Sequence, residues 1–180
     1  NNQGSIYSFL SPEMPVVSIK DTVIDEGDDD SRLVSIEVTR TGYQPGDLNA
    51  SATVYFTTVD GTAKVVDGRY QTASGSITFD ADSTATTQTQ TFTVEIIGDT
   101  LVEGDDYDFS VSLYSITGHG SIIDPDAVIT IVEDDLIDIS IGDITVDEDA
   151  GYARVPFTLD KPVDRGVGVF YEIANLSTES

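Results

Sequence analysis

The chain contains no cysteine and no tryptophan, only one histidine, and few basic residues. Without cysteine there can be no disulfide bonds, thiol catalysis or thiolate metal ligands. Eight lysines and arginines against 33 acidic residues give a net charge of −25. This charge argues against binding to nucleic acid or to an anionic membrane surface, because both need basic patches. No run of about 20 apolar residues is present, so we expect no insertion into a membrane.

Alternating apolar and polar residues dominate the chain, and this period is typical of β-strands. In VSIEVTR, for example, Val34, Ile36 and Val38 fall on one face, and segments rich in glycine, proline and aspartate separate such runs. The predicted strands A to G span residues 16–24, 33–41, 52–59, 74–79, 90–97, 107–116 and 127–132. Seven short antiparallel strands with this spacing predict an all-β fold, an immunoglobulin-like β-sandwich.

A second copy of the pattern begins near residue 139. The segment ISIGDITVDE repeats VSIKDTVIDE with an offset of 122 residues, and GYARVPFTLD and GVGVFYEIAN then repeat strands B and C. Repetition at one domain length predicts a tandem array. The predicted parts are an extended N-terminal segment at 1–15, a sandwich at 16–135, and a partial second repeat at 136–180 that holds strands A to C only.

The partial second repeat cannot close a sandwich by itself. We favour truncation, because one added strand cannot replace the four that are missing. The alternative is a self-assembling filament or matrix, in which a neighbouring chain completes the repeat by adding residues 1–10 as a strand. Phe157, Leu159 and Phe170 would otherwise stay unburied.

Acidic residues recur at the C-terminal ends of alternate predicted strands. They are Glu26, Asp60, the run from Asp99 to Asp106, and the run from Glu133 to Asp135. Alternate strands of an antiparallel arrangement run the same way, so these carboxylates should meet at one pole of the domain. Such a cluster is unstable by like-charge repulsion unless a cation lies in it. All-oxygen ligands of high charge select a hard cation, and Ca²⁺ is the obvious one.

An ordered set of short motifs also points to a known family. The motifs are EG after strand A, VTRTG, DGTA, GSITF, IIGDTLVEGDD and the closing ITIVEDD. In this set the chain resembles the Calx-beta domain, which occurs in sodium–calcium exchangers, integrin cytoplasmic regions and large surface proteins. The resemblance covers residues 16–135 fully and 137–180 partially.

The resemblance implies a set of calcium ligands. They are the carboxylates of Glu26, Asp60, Asp99, Glu103, Asp106, Asp134 and Asp135, with the backbone carbonyl of Leu101 as a neutral ligand. Three departures weaken or alter the expected site. Gly98 stands where strong calcium binders carry another aspartate, DGRY replaces GSDY and brings Arg69 nearby, and one extra residue makes Asp105 and Asp106 alternatives.

These patterns lead us to expect a non-enzymatic, extracellular or cell-surface module in which calcium at the interdomain pole rigidifies a tandem array. Its partners would be calcium ions and neighbouring repeats or subunits. A regulatory calcium-sensor domain is the other alternative. Catalysis has little support: His119 lies in a predicted turn at the opposite pole, and the acidic cluster lacks an aromatic-lined cleft.

Overall fold

The computed structural model describes residues 14–28 and 31–174. Almost all of the predicted N-terminal segment, including the strand proposed at 1–10, therefore lies outside the described residues. Nine strands form the main body: β1 Val16–Ile19, β2 Thr22–Asp25, β3 Ser31–Thr41, β4 Ala52–Asp60, β5 Ser74–Phe79, β6 Thr87–Ile97, β7 Tyr107–Gly118, β8 Ser121–Asp124 and β9 Asp126–Val132. A 3₁₀ turn, Val65–Asp67, follows β4.

The nine strands form two sheets packed as a sandwich, with orders β6-β3-β1-β8 and β2-β9-β7-β4-β5. This confirms the predicted immunoglobulin-like β-sandwich. Predicted strand A is divided into β1 and β2, which lie in different sheets, and the last strand is divided in the same way into β8 and β9. The carboxylate of Asp21, at the break in strand A, accepts a 2.8 Å hydrogen bond from the Val128 amide. The first and the last predicted strand of the sandwich therefore each contribute to both sheets.

The directions of the strands decide where their ends lie. The pairs β1–β8 and β2–β9 are parallel, whereas the other pairs of the two sheets are antiparallel. Since β9 and β4 both run antiparallel to β7, and β1 and β6 both run antiparallel to β3, strands A, C, E and G share one direction. Their C-terminal ends meet at a single pole, which we call the acidic pole.

The core forms from the inward-facing residues of both sheets. Along β7, Phe109, Val111 and Leu113 are buried while the residues between them are more exposed. The rings of Phe56 and Phe92 stack between the two sheets with centroids 3.8 Å apart. The aromatic contacts and apolar burial fix the sheets face to face, and the strand ends are positioned on this rigid frame.

The opposite pole holds the loop of the only histidine. His119 donates its backbone N–H to the Ser51 carbonyl at 3.0 Å, and its own carbonyl accepts a 2.6 Å bond from the buried Arg40 guanidinium. Along β4, Ala52 pairs with Gly118 whereas Asp60 pairs with Phe109. The two poles are therefore about 26 Å apart along this strand, at a rise of roughly 3.3 Å per residue.

The segment after residue 135 contains two further strands in its described part. These are β10 Ile139–Ile141 and β11 Phe157–Leu159, which pair antiparallel as predicted strands A and B do in the first copy. No strand forms within residues 166–174, where the copy of strand C was predicted. The division of the chain into a complete and a partial repeat stays a prediction. In the described residues, no helix has the length and apolar character needed to cross a membrane.

Candidate metal centre

The acidic pole brings together the end of strand A and the end of strand G. The Glu26 amide donates to the Val132 carbonyl at 2.9 Å, which extends the β2–β9 pairing by one residue. The next amide, that of Gly27, donates to the Asp134 carboxylate at 3.1 Å. Two of the carboxyl residues implied by the family resemblance, 108 positions apart in the chain, are thus neighbours in space.

Three glutamates form the centre of this pole. Glu26, Glu103 and Glu133 each offer a carboxylate oxygen, and these three atoms lie within 4.8 Å of one another. Glu26 and Glu103 are buried, whereas Glu133 is half-buried. Glu133 was not in the expected ligand set, although it begins the acidic run after β9. Its Oε2 accepts a 3.2 Å bond from the Glu103 amide, a contact that no local sequence signal could have revealed.

The loop between β6 and β7 carries several of the expected ligands. Asp99 folds back on this loop, since its Oδ1 accepts a 2.7 Å bond from the Leu101 amide. The carboxylate of Asp106 accepts a 3.2 Å bond from the Glu133 amide and joins the loop to the end of β9. Both Asp105 and Asp106 are exposed, and this bond distinguishes Asp106 from Asp105, whose side chain makes no hydrogen bond among the described residues.

Asp60 lies at the end of β4 and is held by its own segment. Its Oδ1 accepts a 2.6 Å bond from the Tyr70 hydroxyl and a 3.2 Å bond from the Val65 amide. The Tyr70 bond, more than the Val65 bond, lowers the pKa of Asp60 below its usual value. Burial and the same bond raise the pKa of Tyr70. Asp60 is therefore a carboxylate fixed by Tyr70 and Val65 at the end of β4, and it is not a member of the three-glutamate centre.

Asp135 faces the second repeat. It is only 3% exposed, and its Oδ1 receives a 2.7 Å ion pair from the Lys161 ammonium. Its Oδ2 is buried and has no hydrogen-bond partner. Asp135 thus connects the acidic pole to residues beyond the first domain.

Arg69 supplies positive charge within the centre itself. Its guanidinium forms ion pairs with Glu26 at 3.0 Å, with Asp99 at 3.7 Å and with Glu103, and it packs over the Tyr107 ring at 4.4 Å. Among the eight carboxylates of this pole, the ion pairs are made by Arg69 and Lys161, while Lys64 lies near Asp60 and the Arg165 guanidinium lies against Gly104 of the same loop. The pole therefore keeps a large excess of negative charge.

The electrostatics of the buried glutamates reflect this excess. Burial, followed by the charge of Asp99, raises the pKa of Glu26 to about 7 even though Arg69 opposes the shift. Burial likewise raises the pKa of Glu133. Glu103 Oε2 is buried without a hydrogen-bond partner, and an unsatisfied buried carboxylate oxygen is costly. Several carboxylates that converge with such an oxygen among them form a donor set that suits a hard cation.

Gly98 has a steric reason for being glycine. A Cβ added at this position would overlap the Gly27 carbonyl oxygen and would lie 2.7 Å from the Gly27 carbonyl carbon and 3.0 Å from the Glu26 carbonyl oxygen. The backbone after strand A therefore occupies the space that an aspartate side chain would need. With this backbone, an aspartate at position 98 could not be added as a further ligand without a shift of the turn that contains Gly27.

The fold, the converging carboxylates and the ordered motifs agree with a comparison against known families. The model of the Calx-beta domain matches residues 13–136, which is more than half of the chain. The chain belongs to the Calx-beta domain family. No curated protein sequence matches it significantly.

Solved structures of Calx domains share this Calx-beta fold. The apo form of the Calx CBD1 domain is 23% identical, with a TM-score of 0.53 over 68% of this chain and 100% of that one. CBD12 from CALX1.2 is 22% identical, with a TM-score of 0.55 over 67% and 46% of the two chains. The calcium binding domain CBD12 of CALX1.1 is 20% identical, with a TM-score of 0.51 over 69% and 49%. This chain spans about half the length of the two CBD12 structures.

Proposed function

We propose that this Calx-beta domain is a non-catalytic calcium-binding module whose ions lie at the junction with the following repeat. One observation carries the proposal. The carboxylates of Glu26, Glu103 and Glu133 converge within 4.8 Å, and the buried Glu103 Oε2 has no partner. Three mutually close carboxylates repel one another, and a bound divalent cation would relieve that repulsion.

The ligands would come from four separate segments of the chain. The proposed set is Glu26, Asp60, Asp99, Glu103, Asp106, Glu133, Asp134 and Asp135, with the Leu101 carbonyl as a neutral donor. Bound calcium would supply positive charge that links these segments. A site built from loops suits Ca²⁺, which accepts six to eight oxygens in flexible geometry, better than Mg²⁺, which requires a tight octahedron.

The junction with the second repeat supports a role in controlling the interdomain angle. Val102 lies one residue before Glu103 and forms a β-bridge with Val163 of the second repeat. Its amide donates to the Pro162 carbonyl at 3.1 Å, and its carbonyl accepts from the Asp164 amide at 3.3 Å. The loop that carries a buried ligand is thus bonded directly to the next repeat.

A cation in the acidic pole would therefore stiffen the junction as well as the domain. Without it, the part of the carboxylate repulsion that Arg69 does not offset would loosen the loop around Glu103 and the bonds that this loop makes to the second repeat. In an extracellular or cell-surface protein, repeats linked in this way would hold an array extended. This setting and the adhesive or structural role are part of the proposal.

Two other roles compete with the structural one. A regulatory calcium sensor is favoured by the likeness of the fold to the calcium binding domain CBD12 of CALX1.1. A self-assembling subunit is favoured by the exposed apolar side chains of the second repeat, among them Phe157 and the fully exposed Phe170. A sensor would change its partner affinity with calcium, and an assembling subunit would change its mass in sedimentation with protein concentration.

Calcium binding is tested by calorimetry and thermal unfolding of the 180-residue chain. We expect saturable binding with a dissociation constant of roughly 10⁻⁶ to 10⁻³ M and much weaker binding of magnesium. Calcium at a hundred times its dissociation constant stabilises the folded state by about 2.7 kcal/mol. For a domain of this size, that corresponds to a rise in Tm of roughly 10 °C.

Glu103→Gln should reduce the calcium-induced rise in Tm strongly, because it neutralises a buried ligand without changing its shape. Asp126→Asn is the matched control, since Asp126 is exposed at the start of β9, at the opposite pole. The control should respond to calcium as the unaltered chain does. If ten millimolar calcium produces neither heat nor a shift in Tm, the proposed function is wrong.

A further inference from the structure

Arg69 is held in the acidic pole by its backbone and by its side chain. Its carbonyl accepts a 3.1 Å bond from the Ile97 amide, and the neighbouring Tyr70 bridges to Ile96 of β6. The guanidinium packs over the Tyr107 ring, and the side chain is only 14% exposed. This anchoring directs a permanent positive charge into the three-glutamate centre.

The guanidinium uses the same oxygens that a metal would need. One terminal nitrogen pairs with Glu26 Oε1 at 3.0 Å and with Asp99 Oδ2 at 3.7 Å, and the other pairs with Glu103 Oε1. The remaining Glu103 oxygen, Oε2, is the one without a partner. Arg69 therefore pairs with one oxygen of Glu26 and one oxygen of Glu103, and it leaves Glu103 Oε2 without a partner.

We propose that Arg69 is an internal counter-cation that competes with calcium for Glu26 and Glu103 and so sets the affinity of the site. The inference rests on the proposed function and extends it to regulation of the same site. A carboxylate oxygen that is bonded to a guanidinium cannot be fully available to a metal, and two cations at this distance repel each other. Calcium must weaken or replace the Arg69 ion pairs as it binds.

The same contacts give Arg69 a second role in the metal-free protein. Its charge offsets the repulsion between Glu26, Asp99 and Glu103, which would otherwise separate the loops of the acidic pole. The Tyr107 ring and the exposed part of Asp99 offer the guanidinium a nearby resting place when calcium takes the two glutamates. The domain would thus stay folded at low calcium, and it would bind calcium at a higher concentration than it would without Arg69.

Competition predicts two effects of opposite sign in one variant. In Arg69→Gln, the metal-free domain should unfold at a lower temperature, because the internal cation is lost. Its calcium affinity should rise at least tenfold, because the metal no longer competes with a guanidinium. A purely structural arginine would lower both quantities, so the pair of measurements separates the two roles.

The experiment is calcium titration calorimetry with thermal unfolding of the 180-residue chain, its R69Q and R69K variants, and a matched control. Arg154→Gln is the control, because Arg154 also packs on a tyrosine ring, that of Tyr152, but belongs to the second repeat. R69K keeps the charge but not the forked geometry that reaches both glutamates, so its affinity should lie between those of the other two. R154Q should bind calcium as the unaltered chain does.

Each result decides between the two proposals. If the unaltered chain binds calcium and R69Q binds it equally or more weakly, Arg69 does not compete and this inference is wrong, whereas the proposed function stands. If only R69Q binds calcium, the arginine replaces the metal in the native protein, and the proposed function is the part that fails. If neither binds, both are wrong. Circular dichroism of R69Q at low temperature checks that the metal-free variant is folded.

Discussion

Gly98→Asp restores the residue of the family pattern, but the structure predicts a steric clash at this position. The resemblance implies that an aspartate here adds a calcium ligand. In this chain, however, even a Cβ would overlap the carbonyl oxygen of Gly27. The obstructing atoms belong to the backbone, so they cannot be moved by a change of side-chain rotamer. The G98D variant should therefore be less stable and should not bind calcium more tightly.

The expected loss follows from the geometry of this contact. A Cβ 2.7 Å from the Gly27 carbonyl carbon requires a backbone shift in the turn after β2. Overpacking of this kind costs about 1–3 kcal/mol. At roughly 4 °C per kcal/mol for a domain of this size, Tm should fall by about 4–12 °C. Glu26 lies in the same turn, so the shift would also displace a proposed ligand and weaken calcium binding.

Scanning calorimetry with and without calcium measures both effects. Gly98→Ala separates the steric cost from the added charge and should show most of the loss in Tm. Gly104→Ala is the control glycine, because the three atoms nearest to a Cβ there belong to the flexible end of the Arg165 side chain. Its Tm should change by no more than about 2 °C, as for most surface substitutions. A G98D variant with unchanged Tm and tighter calcium binding would refute this reasoning.

Two further experiments address the edges of the acidic pole. Tyr70→Phe removes the hydroxyl that donates to Asp60 at 2.6 Å but keeps the ring stacked on Phe109. Because that hydrogen bond is lost, Tm should fall. A carboxyl titration by NMR should show the pKa of Asp60 rising toward its usual value. An unchanged Asp60 titration would show that this bond is not formed in solution. In a protein with a complete second repeat, small-angle scattering should show that calcium narrows the distribution of end-to-end lengths of the two-repeat unit. Lys161→Met should reduce this narrowing, because it removes the ion pair to Asp135. Equal distributions with calcium and with chelator would count against a role in stiffening.

The sequence was sufficient to predict the fold and the direction of its strands. Alternation such as that of Val34, Ile36 and Val38 has a period of two, which follows from the geometry of a single strand and needs no tertiary information. If consecutive strands run in opposite directions, strands A, C, E and G must run in the same direction. The meeting of Glu26 with Asp134 at one pole was predictable for this reason.

The division of the first and last strands between two sheets was not predictable in the same way. Residues 16–24 form one continuous alternating pattern, but the structure interrupts it at Lys20 and Asp21. The parallel pairs β1–β8 and β2–β9 depend on how two distant segments meet at the edges of the sandwich. No local period contains that information.

The sequence by itself determined the sandwich, its acidic pole and the segments that supply the carboxylates. Only the tertiary structure decided which side chains form the centre. Glu133 belongs to the centre, whereas Asp60 is bonded to Tyr70 and lies outside the three-glutamate group. Glu26 and Glu103 share one cation, Arg69. The physical reason is the distance along the chain over which each effect acts. Strand periodicity depends on adjacent residues, so the sequence contains it. Burial, ion pairing and the overlap at Gly98 depend on atoms that only folding brings within a few ångströms.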